Sequence, residues 1–243
     1  MRKLARTRDF VDTLVFPHLT HTRLSWPACQ REVQGVHEEA TPLARHPFPG
    51  PGLAIRCLCA QCDEPVSPTP DGFLLPVRSV GVQGDERSYA SVLAFDRLPA
   101  QDGALQNEAT DLINRTRGVN RVVARVASHV PLAEMRVSAS TLSPERLSRL
   151  RRADAIVRKI SHESGYDKKV WQFPVVLIPV GSAAQPDSVV LRPVHSVDGM
   201  TAQSVSMEEP LLRRMSDELL ELEGICGVFY DLTHKPPGTI EWE

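Results

Sequence analysis

Apolar and polar positions along the chain follow two rhythms, and the changes of rhythm mark its elements. From residue 73 onward they are regular. Phe73–Val82 and Ser88–Phe95 are apolar with polar breaks and predict strands. In Gln106–Arg117 the period lengthens, with Leu105, Ala109, Leu112 and Ile113 on one face and Gly118 at the end, which predicts a helix. Val119–Val126 returns to a strand pattern, and Met135–Thr141 is short and extended. A second helix opens with Ser143 as N-cap, Pro144 at its first position and Glu145 in its first turn. Leu147, Leu150, Val157 and Ile160 carry that helix to Gly165. β-branched strands follow at Val175–Val180 and Val189–Val194, on either side of a turn at Gly181–Asp187. Pro210 begins a third helix, with Leu212, Met215, Leu219 and Leu222 on one stripe and Gly224 closing it, and Ile225–Leu232 is the last strand. Upstream, Leu53–Ala60 predicts a strand. Residues 61–72, with three prolines and no apolar period, read as a linker.

The two parts of this pattern match as strand, helix, strand, strand, helix, strand. The first copy lacks its first helix, because residues 61–72 stand in its place. Gly118-Val119 leading into Val122-Val123 corresponds to Gly224-Ile225 leading into Val228-Phe229. The expected fold is α+β: two similar lobes of β-α-β-β-α-β type, over 45–137 and 138–243, after a poorly patterned segment 1–44. A covering helix would bury about five apolar side chains at roughly 1.5–3 kcal/mol each. Its absence predicts a first lobe that is marginal by itself.

Composition narrows the classes. The chain has 243 residues, is 42% hydrophobic and 24% charged, and carries a net charge of -2, so it is globular without a global pull toward nucleic acid or anionic membrane. No apolar run approaches the roughly 20 residues of a spanning helix, and the start lacks a signal-peptide core. Asp9 and Asp12 argue against a mitochondrial presequence. Five cysteines, an odd and sparse number, suggest reduced thiols and a cytoplasmic protein. Proline, at 20, outnumbers glycine, at 14, and no Gly-Gly pair occurs, so phosphate-cradling loops are scarce.

Few residues carry candidate chemistry. Lys235 precedes two prolines on a stiff, polyproline-like arm, and its ammonium suits a phosphate. Glu241, farther along, could accept hydrogen bonds from a base or ribose. A solvent-exposed tail is the alternative. Gly81–Tyr89 sets Asp85 beside Arg87 in a turn, either a polar ligand loop or a hairpin with a surface ion pair. Cys57, Cys59 and Cys62 would need a fourth zinc ligand, Cys29 or His46, with Cys57 and Cys59 on one face of a strand; packed strand cysteines are the alternative. His195, Ser196 and Asp198 cluster in one loop, unlike a triad drawn from separated elements, and read as a turn. Glu208 and Glu209 fit the positive end of a helix, and the basic helix Arg146–Lys159 reads as a solvated face.

Several ordered segments resemble the C-terminal part of the glutamine-hydrolysing GMP synthase family. They are Arg45–Arg56; Val80–Asp85 with Arg87 and Tyr89; Asp198, Met200 and Thr201; and the terminal Lys235–Glu243. Leu150–Asp154, Glu163–Tyr166, and Gln172 with Pro174 resemble the long, eukaryote-like form, in which an insertion gives two lobes. The likeness runs from about residue 31, patchily before Arg45, so that 31–44 would be a remnant of the ATP pyrophosphatase domain. It implies a dimerisation domain that completes the XMP site, with Asp85, Gln172, Lys235 and Glu241 as XMP contacts and Arg87 and Thr239 beside them. Lys235 would meet the phosphate. The family makes GMP from XMP, ATP with Mg2+, and glutamine. Its phosphate loop of Ser-Gly-Gly-Val-Asp-Ser type and its amidotransferase cysteine do not occur in this sequence. The resemblance thus implies no catalytic residue, no metal site and no cofactor bound by this chain alone. Its partners would be XMP and either another synthase chain or the amidotransferase and ATP pyrophosphatase domains. A non-catalytic interaction module, from a truncated product or a split subunit, is the alternative. Cys226-Gly227, where the family usually has arginine at 227, and His234, in place of a small residue, depart from the pattern.

Overall fold

A computed structural model describes residues 52–83, 86–99 and 103–242. All of them belong to the compact unit His46–Glu243. Asp85, Cys29, His46 and the junction residues before Gly52 lie outside the described residues, as does segment 1–44.

The strands are β1 (Glu64–Pro65), β2 (Ser67–Thr69), β3 (Gly72–Gln83), β4 (Glu86–Phe95), β5 (Val119–Ser128) and β6 (Arg136–Val137). They continue with β7 (Val175–Ile178), β8 (Val180–Gly181), β9 (Asp187–Leu191), β10 (Val194–His195), β11 (Gln203–Ser204) and β12 (Ile225–Asp231). The helices are α1 (Ala104–Arg115), α2 (Pro144–Ser164) and α3 (Glu209–Leu220). The fold is α+β, and its large sheet has seven strands in the order β2-β3-β4-β5-β12-β9-β7.

The repeat is visible in that order. β3 and β4 pair antiparallel, and α1 carries the chain from β4 to a parallel β5. β7 and β9 likewise pair antiparallel, and α3 carries the chain from β9 to a parallel β12. The two halves meet where β5 and β12 pair antiparallel, with Tyr230 opposite Ala124 and Asp231 opposite Val123. They therefore share one sheet. Helix α2 precedes β7, whereas the described chain before β3 has no helical counterpart to it.

Strand alternation places apolar side chains on both faces. Leu93, Phe95, Val122, Ala124, Val189, Leu191, Val228 and Tyr230 face the three helices, which contribute Ala109, Leu112, Leu150, Val157, Met215 and Leu219. Val92, Ala94, Val123, Val190 and Phe229 face the opposite way. There Leu58, Val66, Leu132, Met135, Val137, Val180 and Trp242 cover them. Part of that cover is the small sheet β1-β6-β8.

Three sequence expectations change. Leu53–Ala60 is a single 3-10 turn at Ala54–Arg56 followed by isolated bridges at Cys57 and Ala60, so Cys57 is buried while Cys59 is exposed and the two do not share a face. The 61–72 linker contributes β1 and β2, and Pro68 is tolerated because β2 is an edge strand. The basic face of α2 is not wholly solvated. Arg146 is buried, with its guanidinium 2.9 Å from the Asp187 carboxylate, and Arg149 pairs with the same carboxylate. Ser143 caps α2 through its Oγ, which accepts from the Arg146 N–H at 3.2 Å, and Gly165 ends it at φ 70°. Those are the sequence-level caps. Among the described residues no helix is long and apolar enough to cross a membrane.

The shared sheet also revises the expectation of a marginal first lobe. β5 is a central strand with buried neighbours on both faces. Amide hydrogen exchange will show Val122–Ala124 protected to the same degree as Val228–Tyr230. Exchange of the β5 amides orders of magnitude faster than those of β12 would restore the two-lobe picture.

Candidate functional site

Three charged residues interrupt apolar strand segments at one end of the large sheet. Arg121 stands near the start of β5, Asp231 ends β12, and Arg192 follows β9. Because β9 and β12 run parallel and β5 runs antiparallel to β12, all three reach the same edge. Each is fully buried. Asp231 Oδ2 lies 2.7 Å from Nη1 of both Arg121 and Arg192 and accepts a bond from Trp242 Nε1 at 2.8 Å. Its Oδ1 accepts the Thr233 N–H at 2.9 Å.

The two guanidinium groups then hold the C-terminal segment. Arg192 donates from Nε to the Ile240 carbonyl at 2.8 Å, from Nη1 to Thr233 O at 3.0 Å and from Nη2 to Thr239 O at 2.6 Å. Arg121 Nη2 donates to Thr239 O at 3.1 Å, and its guanidinium carbon lies 4.8 Å from the Trp242 ring centroid. The same segment lies along β3: Val80 N–H donates to Trp242 O at 2.8 Å, and Val82 N–H to Pro237 O at 2.6 Å. Gly81 permits this approach, since a Cβ there would meet Asn120 at 2.8 Å and Pro237 O at 2.9 Å. The tail is thus docked on the sheet, which rules out the alternative of a solvent-exposed tail.

Burial opposes ionisation of Asp231, but Arg192, Arg121 and the Thr233 N–H outweigh it and hold the carboxyl below the usual aspartate value. Burial pushes Arg121 down to about 10, against the attraction of Asp231 and, farther off, Glu241. Two guanidinium groups against one buried carboxylate leave a positive excess, which the Glu241 carboxylate partly offsets.

Docking the tail gathers several of the expected contacts. Lys235 pairs with Ala202 in both directions, N–H to carbonyl at 2.7 Å and carbonyl to N–H at 3.0 Å, and its ammonium donates to Gly199 O at 2.7 Å. Gln172 is buried and bridges Val194, next to the Val194–Ala202–Ile240 cluster on which Trp171 packs. Thr239 is buried, and its Oγ1 donates to Val80 O at 3.1 Å while accepting from Arg121 at 3.2 Å, so it serves the anchor. Arg87 is exposed on β4, opposite Val82. Asp85 lies outside the described residues. In the loop at 196–201, Asp198 Oδ1 accepts from Met200 N–H at 2.9 Å and Ser196 Oγ from Gly199 N–H at 2.8 Å. These side chains shape a turn, as the sequence implied. The loop carries Val197 and Met200, 94% and 73% exposed, beside Lys235.

Comparison with known proteins bears on this edge directly. Residues 159–242 match the family model described as GMP synthase C terminal domain. The chain carries a GMP synthase C-terminal domain. A probable glutamine-hydrolyzing GMP synthase of Leptospira interrogans is 39% identical over 215 residues, covering 83% of this chain and 36% of the relative. One of Caenorhabditis elegans is 29% identical over 285 residues, covering 82% and 38%. The GMP synthase of Leifsonia xyli is 45% identical over 108 residues, covering 41% and 22%. The chain thus spans little more than a third of the length of the first two relatives.

Among the described residues no group of three His, Cys, Asp or Glu side chains converges as metal ligands would. The starts of α2 and α3 carry Glu145 and Glu209, whose carboxylates would repel phosphate. The Arg121–Asp231–Arg192 anchor was missed at the sequence level, although a signal existed: each charge breaks an otherwise apolar strand segment. Asp231→Ala would leave two guanidinium groups buried without their carboxylate. Urea denaturation will show a loss of about 3–5 kcal/mol. A loss under about 1 kcal/mol, the range of an exposed pair, would mean that Asp231 does not anchor the tail.

Proposed function

We propose that this chain supplies the XMP-contacting and subunit-contacting part of a cytoplasmic GMP synthase, the ATP-dependent ligase that makes GMP from XMP with nitrogen from glutamine. The observation that carries the reading is the docked tail. The buried anchor sets Lys235 beside the 196–204 loop, with Gln172 across the Val194 bridge. Lys235 donates to a neutral carbonyl, and among the described residues it has no carboxylate ion-pair partner that would compete with a phosphate. Gln172 and Glu241 offer an amide and a carboxylate to polar groups of the nucleotide, and Arg87 stands on β4 opposite Val82, whose N–H holds the tail at Pro237. Thr239 acts from beneath, by holding Arg121. The Leptospira and Caenorhabditis matches cover 83% and 82% of this chain, so they extend well beyond residues 159–242 into its first half.

The family's phosphate loop does not occur in this sequence, so we assign adenylation and ammonia transfer to other domains of the enzyme. Those domains, or a second synthase chain, are the partners we assign to it. Purified chain supplied with XMP, ATP, magnesium and ammonia will form no GMP; turnover would overturn this division of labour. Isothermal calorimetry will detect XMP binding to the chain, weakened about 10- to 100-fold by Lys235→Ala, the range of a lost charge-assisted hydrogen bond. Unchanged affinity in that variant would remove Lys235 from the site, and no binding by the parent chain would remove the site itself.

A further inference from the structure

His234 immediately precedes Lys235 and is half-buried against the same loop. Its Nδ1 lies 3.1 Å from the backbone nitrogen of Ser204. A backbone N–H only donates, so Nδ1 must accept, and the imidazole is neutral with its proton on Nε2. Ser204 ends β11, two residues beyond Ala202, the backbone partner of Lys235. Segment 199–204 is therefore joined to the tail by the Lys235–Gly199 bond, the Ala202–Lys235 pair, a Ser204 Oγ bond to Asp231 O at 2.7 Å, and the His234 bond. Of these, only the His234 bond is lost on gaining a proton near neutral pH.

The charges around this ring favour the neutral form. Burial opposes the imidazolium first, Arg192 behind β9 repels it, and Asp231 at the end of β12 only partly compensates. Arg121 of β5 already draws on that same carboxylate. On the β10–β11 side stands His195, exposed and opposite Gln203, and Lys235 itself adds a further cation. Protonation would turn Nδ1 into a donor facing a donor and bring a third cation to the Arg121–Arg192 pair.

We propose that His234 is a positioning residue for Lys235: its neutral imidazole fastens segment 199–204 to the tail, and protonation releases that fastening and weakens the hold on an anionic ligand. Its ligand consequence rests on the XMP reading above; the fastening itself does not. The sign follows from linkage. A histidine whose folded-state value is lowered supports the folded arrangement fully above about pH 6.5 and loses that support as pH falls through the lowered value.

The test uses the full chain, wild type and His234→Asn, whose side-chain oxygen can accept from Ser204 without titrating. Exchange of the Ser204 amide, taken relative to Ala202, is followed from pH 7.5 to 5. In the wild type the ratio will rise about two- to tenfold as pH falls, the range of one ordinary hydrogen bond, and in H234N it will stay flat. XMP affinity, measured by calorimetry over the same range, will fall further in the wild type than in H234N; titration of the nucleotide is common to both. A flat Ser204 ratio in the wild type, or equal profiles in the two proteins, overturns the proposal. Should H234N not fold, the wild-type ratio and the chemical-shift titration of the His234 ring decide alone. Absence of XMP binding at every pH overturns the substrate reading and leaves the exchange result to judge His234.

Discussion

One carboxylate holds the functional edge of this molecule together. Asp231 is buried with two guanidinium groups and an indole N–H around it, and it is ionised because those partners outweigh the cost of burial. Through Arg192 and Arg121 it fixes the carbonyls of Thr233, Thr239 and Ile240, and through Trp242 it fixes the end of the described chain. Without it, two buried positive charges would face one another across the end of the sheet. A net excess of buried positive charge is costly in general. Here the excess lies at the same end of the sheet as the docked tail that carries Lys235.

The anchor depends in turn on the way the halves are joined. Arg121 belongs to the first half, and Asp231 and Arg192 belong to the second. They meet only because β5 and β12 pair in one continuous sheet. The related β-β-α-β halves thus divide the work of seating the tail, with β3 supplying backbone donors, β5 a cation, and β9 and β12 the other cation and the anion. Trp242, filling the apolar layer opposite the helices, ties the same tail into the core. Tail position and core packing are therefore coupled.

Local signals made much of the framework legible. The apolar strand segments at Phe73, Ser88, Val119 and Ile225, the helix caps at Ser143 and Gly165, and the helix following Pro210 all rest on interactions within a few residues of chain. The related halves could be read for the same reason, since repeated local patterns give repeated elements. Lys235 and Glu241 were candidates from their own chemistry and Gln172 through family resemblance, and the fold gathers them near one edge. Less legible were β1 and β2, which proline-rich sequence hid because an edge strand tolerates proline, and the break after Ile178, where Pro179 starts a crossing to the second, smaller sheet.

The sequence by itself determined which segments become helix or strand and that they repeat, because periodicity, capping and turn chemistry act over short range. It also carried the absence of a phosphate loop, since that loop is defined by consecutive residues. Only the tertiary structure decided that the halves form one sheet, that Arg146 and Arg149 turn inward to Asp187, and that the tail is docked rather than free. Each of these rests on groups more than thirty residues apart, whose meeting depends on strand order and burial. The charge at Asp231 is the clearest case: in the sequence it is a polar residue ending an apolar strand, and only removal from water beside two distant arginines makes it the anchor of the site.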